Sequence, residues 1–444
     1  MRNKLKSLKN NYTFMKYFKN TSWLFGARIF RMGVGFFVII LMTRYLGPDN
    51  FGLLSYSQSF VALFVAMSTL GLEVILTREL TKNKSETDLI LGTAIVLKLV
   101  ASVLAFLCIV GANIYIDDDK ASRLTNIIAF TIFFQSINLG IDTYFQANII
   151  SKYSSISKTV VYILSTILKL SLIYFEAELI YFAYVLVFDA IITFIGYLYI
   201  YSLQKKNILS LRFSTEKALF LLKSGLPMLL VSMAVFFYTK IDQIMIKFLL
   251  DNEAVGHYAA AIKVSELFYF IPLLITQSVF PKIIQEKESG NNESYFKLLL
   301  NIYKIVLWIS LAIVVIIVSF SDLIVDILFG AAFAPSAGIL SVLTYSLILV
   351  SIGSVNTKIL YAEHLEKKYL YRSIFGIVVN IGLNYLLIPI YGAVGAAIAT
   401  LATLITIHYI YDLFDRDLWK FYHLKLWCFI PINLAPKKTN KKGN

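Results

Sequence analysis

Long apolar runs, broken by short and mostly basic connections, set the pattern of this chain. Twelve runs can be read, at about 22–43, 53–72, 89–116, 124–145, 159–175, 179–203, 224–249, 256–280, 299–320, 337–361, 372–389 and 392–411. A helix crosses a bilayer core with on the order of 20 apolar residues, so each run predicts one crossing. The fifth and eleventh runs are short, and each has its successor close behind. Both read as tight hairpins rather than re-entrant pieces. Ahead of the first run, residues 1–21 hold Arg2, Lys4, Lys6, Lys9, Lys16 and Lys19, with Leu5, Leu8, Tyr12 and Met15 at helical spacing among them. That pattern predicts a basic amphipathic leader on the membrane surface; a disordered basic leader fits it too.

Basic residues in the connections orient the bundle. With the N-terminus inside, the inner segments carry 29 Lys and Arg and the outer loops only Arg44, Lys120 and Arg123. Twelve helices with both termini cytoplasmic satisfy that bias. The inner connection 205–223 divides the chain into a lobe of six helices at 22–204 and another at 224–411, followed by a basic tail at 412–444. The halves echo each other. The stretch from Arg44 through Tyr45, Gly47, Pro48, Phe51 and Gly52 to Tyr56 joins helices one and two. Its counterpart joins helices seven and eight, from Lys247 through Phe248, Asn252 and Gly256 to Tyr258. A duplication of six helices gives two halves of the same orientation, related by an axis along the membrane normal.

Composition agrees: 58% of residues are hydrophobic and 15% charged, where soluble domains have about 25% charged. The net charge of +14 lies in the connections, so it is not the footprint of a nucleic-acid partner. Cys108 and Cys428 form no disulfide framework, and the four histidines have no metal spacing. No Gly-rich phosphate loop points to ATP drive, and the outer loops are too short to carry a catalytic site. No cofactor, metal or enzymatic chemistry is expected. The first run lacks a small-residue cleavage site and reads as a retained helix.

What remains unusual is charge at bilayer depth, where one arginine costs about 2.5–3.5 kcal/mol. Lys169, Lys247, Lys304 and Lys358 lie near helix ends, where snorkelling to the interface explains them. Arg28, Arg31, Lys98, Lys240 and Lys263 lie deeper, and Arg28 and Arg31 share a helix face. These five are the candidate cationic lining of a cavity for something negative. Arginine binds phosphate oxygens through paired donors and lysine as a point charge. Asp242 and Glu266 are candidate ion-coupling sites for H+ or Na+, and Lys263 with Glu266 can equally form an intrahelical ion pair. Asp142 reads as a solvated cap and Asp189 as a buried partner to a lysine. Gln135 and Asn138, with Asn380 and Asn384, form polar pairs on helix faces. Such pairs suit sugar hydroxyls or interhelical hydrogen bonds.

The stretch Thr43, Arg44, Tyr45, Leu46, Gly47, Pro48, Asp49, Asn50, Phe51, Gly52 resembles the signature of polysaccharide-export proteins, above all the O-antigen repeat-unit flippases of Wzx type. Gly225 to Pro227, Tyr238 to Met245, Val255 to Ala261 and Tyr391 to Ala397 are similar to further motifs of that superfamily, which also holds MATE extruders and the lipid II flippase. The resemblance implies an all-α, two-lobed, MATE-like bundle in the bacterial cytoplasmic membrane. It implies movement of an undecaprenyl-pyrophosphate-linked oligosaccharide to the outer leaflet by alternating access, with polysaccharide polymerase or assembly proteins as partners. A cation-coupled exporter of drugs or metabolites is the alternative within the same fold.

Overall fold

The computed structural model describes residues 12–116, 118–204 and 207–430, excepting the side chains of 12–25, 151, 209, 238 and 366. The leader residues 1–11 and the tail beyond 430 lie outside the described residues.

All regular structure in the described residues is helical. Among the described residues, eleven helical stretches are long and apolar enough to cross a membrane. The first, Gly26–Lys82, runs for 57 residues, about 86 Å at 1.5 Å per residue against a core of about 30 Å. It therefore holds two crossings, and the break falls at Gly47, with φ 69° and ψ 173°. Twelve crossings result, as the twelve apolar runs predict. The helices Ser151–Tyr174 and Glu366–Tyr391 are 24 and 26 residues long, enough to span fully, so the two short runs are hairpin members. The helix Thr87–Asn113 shows why its sequence suits this environment. Val96, Val100, Val103, Leu104 and Leu107 are exposed, whereas Leu91, Ile95, Lys98, Ser102, Ala105 and Ile109 are buried. An apolar face turned outward suits hydrocarbon, and the polar residues lie within.

The signature around Gly47 is explained residue by residue. Gly47 adopts a positive φ that side chains resist, and Pro48 follows at the first position of the next helix. Asn50 Nδ2 donates to Leu46 O at 3.2 Å, satisfying a carbonyl that the break would orphan. Tyr45 Oη donates to Ala177 O at 2.8 Å, and Leu46 and Phe51 are buried. Gly52 lies where a Cβ would stand 1.8 Å from Asn252 O and 2.6 Å from Gly256 N. A Cβ on Gly256 would in turn stand 2.0 Å from Pro48 O. The two copies of the sequence repeat thus meet reciprocally, backbone against backbone.

By internal contacts the chain forms two compact units. The first holds residues up to Lys247 together with Asp251–Gly256, and the second holds Phe248–Leu250 and the chain from His257 onward. The connection at 205–223 belongs to the first unit because it is tied to the helix Thr87–Asn113. Arg212 N donates to Asp88 O at 3.2 Å and Ser214 N to Thr93 Oγ1 at 3.1 Å. The six-and-six division read from sequence concerns repeats; division by contacts falls later in the chain. The core of the first unit is built around Leu72, Leu76, Ile90, Leu91, Tyr144, Phe145, Tyr197 and Tyr201. In the second unit, Leu299, Tyr303, Leu307, Ile352 and Val355 pack with Leu418, Phe421 and Cys428. Part of the stretch read as a basic tail therefore folds back: the helix Trp419–Trp427 packs on Asn292–Ser319.

Candidate functional site

In the first unit the helix Tyr12–Thr69 brings Arg31 against Ser151–Tyr174. The Arg31 guanidinium is half-buried. Its Nη1 donates to Thr159 Oγ1 at 2.8 Å and to Ser155 O at 3.4 Å. Both acceptors are neutral, and among the described residues Arg31 forms no ion pair. Arginine carries five N–H donors, so Nε and Nη2 remain for an anion. Arg28, one turn earlier, is exposed, and its charge acts on Arg31. Nearby on Ser151–Tyr174, Lys158 Nζ pairs with Asp142 at 2.9 Å. Asp142 also accepts from Gln146 at 3.2 Å and Tyr197 Oη at 3.4 Å. Asp142, read from sequence as a solvated cap, is instead buried, held by Lys158, Gln146 and Tyr197.

The other predicted cations divide by environment. Lys98 is fully buried and its Nζ has no hydrogen-bond partner among the described residues. Beside it runs a hydroxyl chain: Ser102 Oγ donates to Ser136 Oγ, which lies 2.8 Å from Ser68 Oγ. Lys240 is half-buried, whereas Asp242 is buried, in keeping with two residues on different faces of one helix. In the second unit Lys263 is half-buried and Glu266 exposed. Of the lysines expected to snorkel, Lys169 pairs with Asp189 at 3.6 Å, as the reading of Asp189 required. Lys247 pairs with Asp118 at 2.7 Å, Lys358 lies over the Phe280 ring, and Lys304 is buried. Burial would raise Asp118, but bonds from Lys247, the Ala121 N–H and Asn252 hold its carboxyl below the usual range.

The polar pairs also separate. Gln135 and Asn138 line a cavity of about 580 Å³ in the first unit. Asn380 and Asn384 are fully buried in the second, with Asn384 Nδ2 donating to Asn380 Oδ1 at 3.1 Å.

A sequence-family model described as polysaccharide biosynthesis protein matches residues 17–287, well over half of the chain. The chain belongs to the polysaccharide biosynthesis protein family. A second model, described as MatE, matches residues 227–386. This family member is 23% identical over 387 residues to the probable low-salt glycan biosynthesis flippase Agl15 of Haloferax volcanii, covering 84% of this chain and 78% of the relative. It is 24% identical over 390 residues to the probable flippase AglR of the same organism, with the same coverage. Among solved structures, an inward-facing MATE multidrug resistance transporter of the MOP superfamily superposes with a TM-score of 0.69 at 18% identity, over 88% of this chain and 96% of that one. The lipid II flippase MurJ, in an inward closed conformation, superposes with a TM-score of 0.67 at 19% identity, over 92% and 90%. The fold of this polysaccharide biosynthesis protein is the MATE-like fold that its motifs imply.

One cluster in this family member was not singled out from sequence. Arg372 Nη2 and Lys425 Nζ both bond Asp412, and all three side chains are nearly or fully buried. Lys425 also donates to His408 O at 2.6 Å. His408 sits on a π-helical turn, Thr406–Ile410, and its ring fills the space a Cβ on Gly353 would need. Burial pushes Lys425 down to about 8, against the pull of Asp412. Two of these charges were counted among the loop and tail cations that orient the chain. The 40-residue and 13-residue separations of the partners left no local signal.

Proposed function

We propose that this protein is a flippase that moves a lipid-linked oligosaccharide, carried on undecaprenyl pyrophosphate, across the cytoplasmic membrane by alternating access. The observation that carries the proposal is Arg31. Its guanidinium is fixed at depth by neutral acceptors and keeps its full charge, with donors to spare. Desolvated guanidinium groups hold phosphate oxygens strongly because their planar fork matches two oxygens at once. Arg28 and Lys158 add positive charge nearby, and Asp142 answers only one of the three. A pyrophosphate that must leave water finds compensation there, and the glycan follows its carrier. Family membership and the two flippase relatives from an archaeon support the same reading.

Lys98 and Lys240 in the first unit and Lys263 in the second are proposed as further cations that attract the anionic head. Asp242 or Glu266 would carry a coupling proton or Na+, as acids at bilayer depth do in other transporters. The cytoplasmic placement of both termini belongs to this proposal. The match of the MatE model to residues 227–386 favours a cation-coupled exporter as the second reading. Deletion of the gene in its host separates them. Loss of surface glycan with unchanged drug tolerance supports the flippase. Drug sensitivity with normal surface glycan supports the exporter.

A further inference from the structure

The 580 Å³ cavity of the first unit is lined by Gln58, Thr131, Gln135, Asn138, Asp189 and Phe236, among others. Its size falls within the range of about 300–1,000 Å³ common to small-molecule sites. Three buried oxygens of these lining residues, Thr131 Oγ1, Asn138 Oδ1 and Asp189 Oδ1, have no hydrogen-bond partner among the described residues. Thr131 is 1% exposed and Asn138 7%. Buried polar atoms are nearly always satisfied, and each orphan costs about 1–3 kcal/mol. All three belong to residues of one cavity wall and are closed to solvent as they stand, so a small side-chain rotation toward the cavity lets a ligand that donates hydrogen bonds satisfy them.

The remaining groups around these atoms are fixed. Asn138 Nδ2 donates to Ala190 O at 3.1 Å, which aligns the amide. Asp189 Oδ2 accepts from Ser165 at 2.7 Å and faces Lys169 at 3.6 Å. The one acid of the wall is thus neutralised, and the cavity carries no surplus charge for an ion or a phosphate. Its size also far exceeds what a bare cation fills. Hydroxyl groups both donate and accept, as do the primary amides of Gln58 and Gln135. Phe236 adds a flat apolar wall of the kind on which a sugar's C–H face stacks.

We infer that this cavity is a subsite for an uncharged sugar residue of the transported glycan, recognised by Thr131, Asn138 and Asp189. The inference rests on the flippase reading and assigns its two chemistries to separate places. The Arg31 cluster takes the anionic head, and this cavity takes sugar.

The test uses the full chain, purified in detergent, with thermal unfolding read against three probes: inorganic pyrophosphate, Na+, and the neutral disaccharides chitobiose, maltose and lactose as one set. At least one disaccharide should raise the unfolding temperature of the wild type. Its apparent affinity should fall at least tenfold in Thr131→Val and in Asn138→Leu, while the pyrophosphate effect is kept. Arg31→Ala should do the reverse. Unliganded Thr131→Val should unfold at the wild-type temperature or above, since its hydroxyl has no partner to lose. Should Asn138→Leu fail to fold, Gln135→Leu replaces it. Stabilisation by none of the disaccharides overturns the inference, as does a disaccharide effect that survives in both variants. Loss of a Na+ effect alone would make the cavity a cation site and overturn it too. If pyrophosphate has no effect on the wild type but a disaccharide does, the flippase reading falls and the sugar site stands.

Discussion

Gly52 and Gly256 leave each other no room for a side chain. A Cβ on Gly52 would meet Gly256 N at 2.6 Å, and one on Gly256 would meet Pro48 O at 2.0 Å. The obstacles are backbone atoms, so no rotamer change relieves them. Gly52→Ala and Gly256→Ala should each destabilise the protein by about 1–3 kcal/mol or more, as overpacking does. Gly47→Ala, where only φ is strained, should cost about 1–2 kcal/mol. Thermal unfolding of the three variants in detergent tests the ranking. Wild-type stability in Gly52→Ala would contradict the close crossing.

The buried Asp412 cluster makes an asymmetric prediction. Asp412→Asn leaves Arg372 and Lys425 buried without their counter-charge, and breaking such a pair costs about 3–5 kcal/mol. Lys425→Met removes one cation and leaves Arg372 to answer Asp412, so it should be milder. Expression level and unfolding temperature distinguish the two. Equal effects would show that the three charges do not act as one network.

Two acids outside the spanning segments set the response to low pH. For Asp118 and Glu363, burial acts to raise the pKa. Bonds from Lys247 to Asp118, and from Lys287 and Lys420 to Glu363, outweigh it and hold both below their ordinary values of 3.8 and 4.5. A depressed carboxylate contributes stability above its unfolded value, and that contribution is lost as pH falls through the folded one. Melts of wild type and of Asp118→Asn should therefore differ most near neutral pH and converge as pH falls below the ordinary carboxylate value of 3.8. A constant difference across that window would rule out the Asp118 pairs as its cause.

Much of this molecule was legible in its sequence. Hydrophobic length alone gave the twelve crossings, and the signature at Arg44 to Gly52 gave the family's fold. The physical content of that signature is structural: a left-handed Gly47, a helix-starting Pro48, a cap from Asn50 and a close crossing at Gly52. The pairing of Asp189 with a lysine was also readable, because an acid at depth needs a partner. Asp142 was misread because two of its three partners lie on other helices, Lys158 on Ser151–Tyr174 and Tyr197 on Leu179–Leu203. Arg372, Asp412 and Lys425 were hidden because charges at helix ends look like topology signals. Thr131 gave no signal, since a hydroxyl in an apolar helix is ordinary until its partners are counted.

Reconstituted translocation tests whether Arg31 receives an anionic lipid head. The full chain in proteoliposomes is given undecaprenyl pyrophosphate bearing a fluorescent sugar, and arrival at the opposite leaflet is read by a membrane-impermeant quencher. Wild type should speed translocation over empty vesicles. Arg31→Ala should slow it at least tenfold, about 1.4 kcal/mol of lost interaction, with Arg31→Lys between. Wild-type rates in Arg31→Ala would contradict the claim.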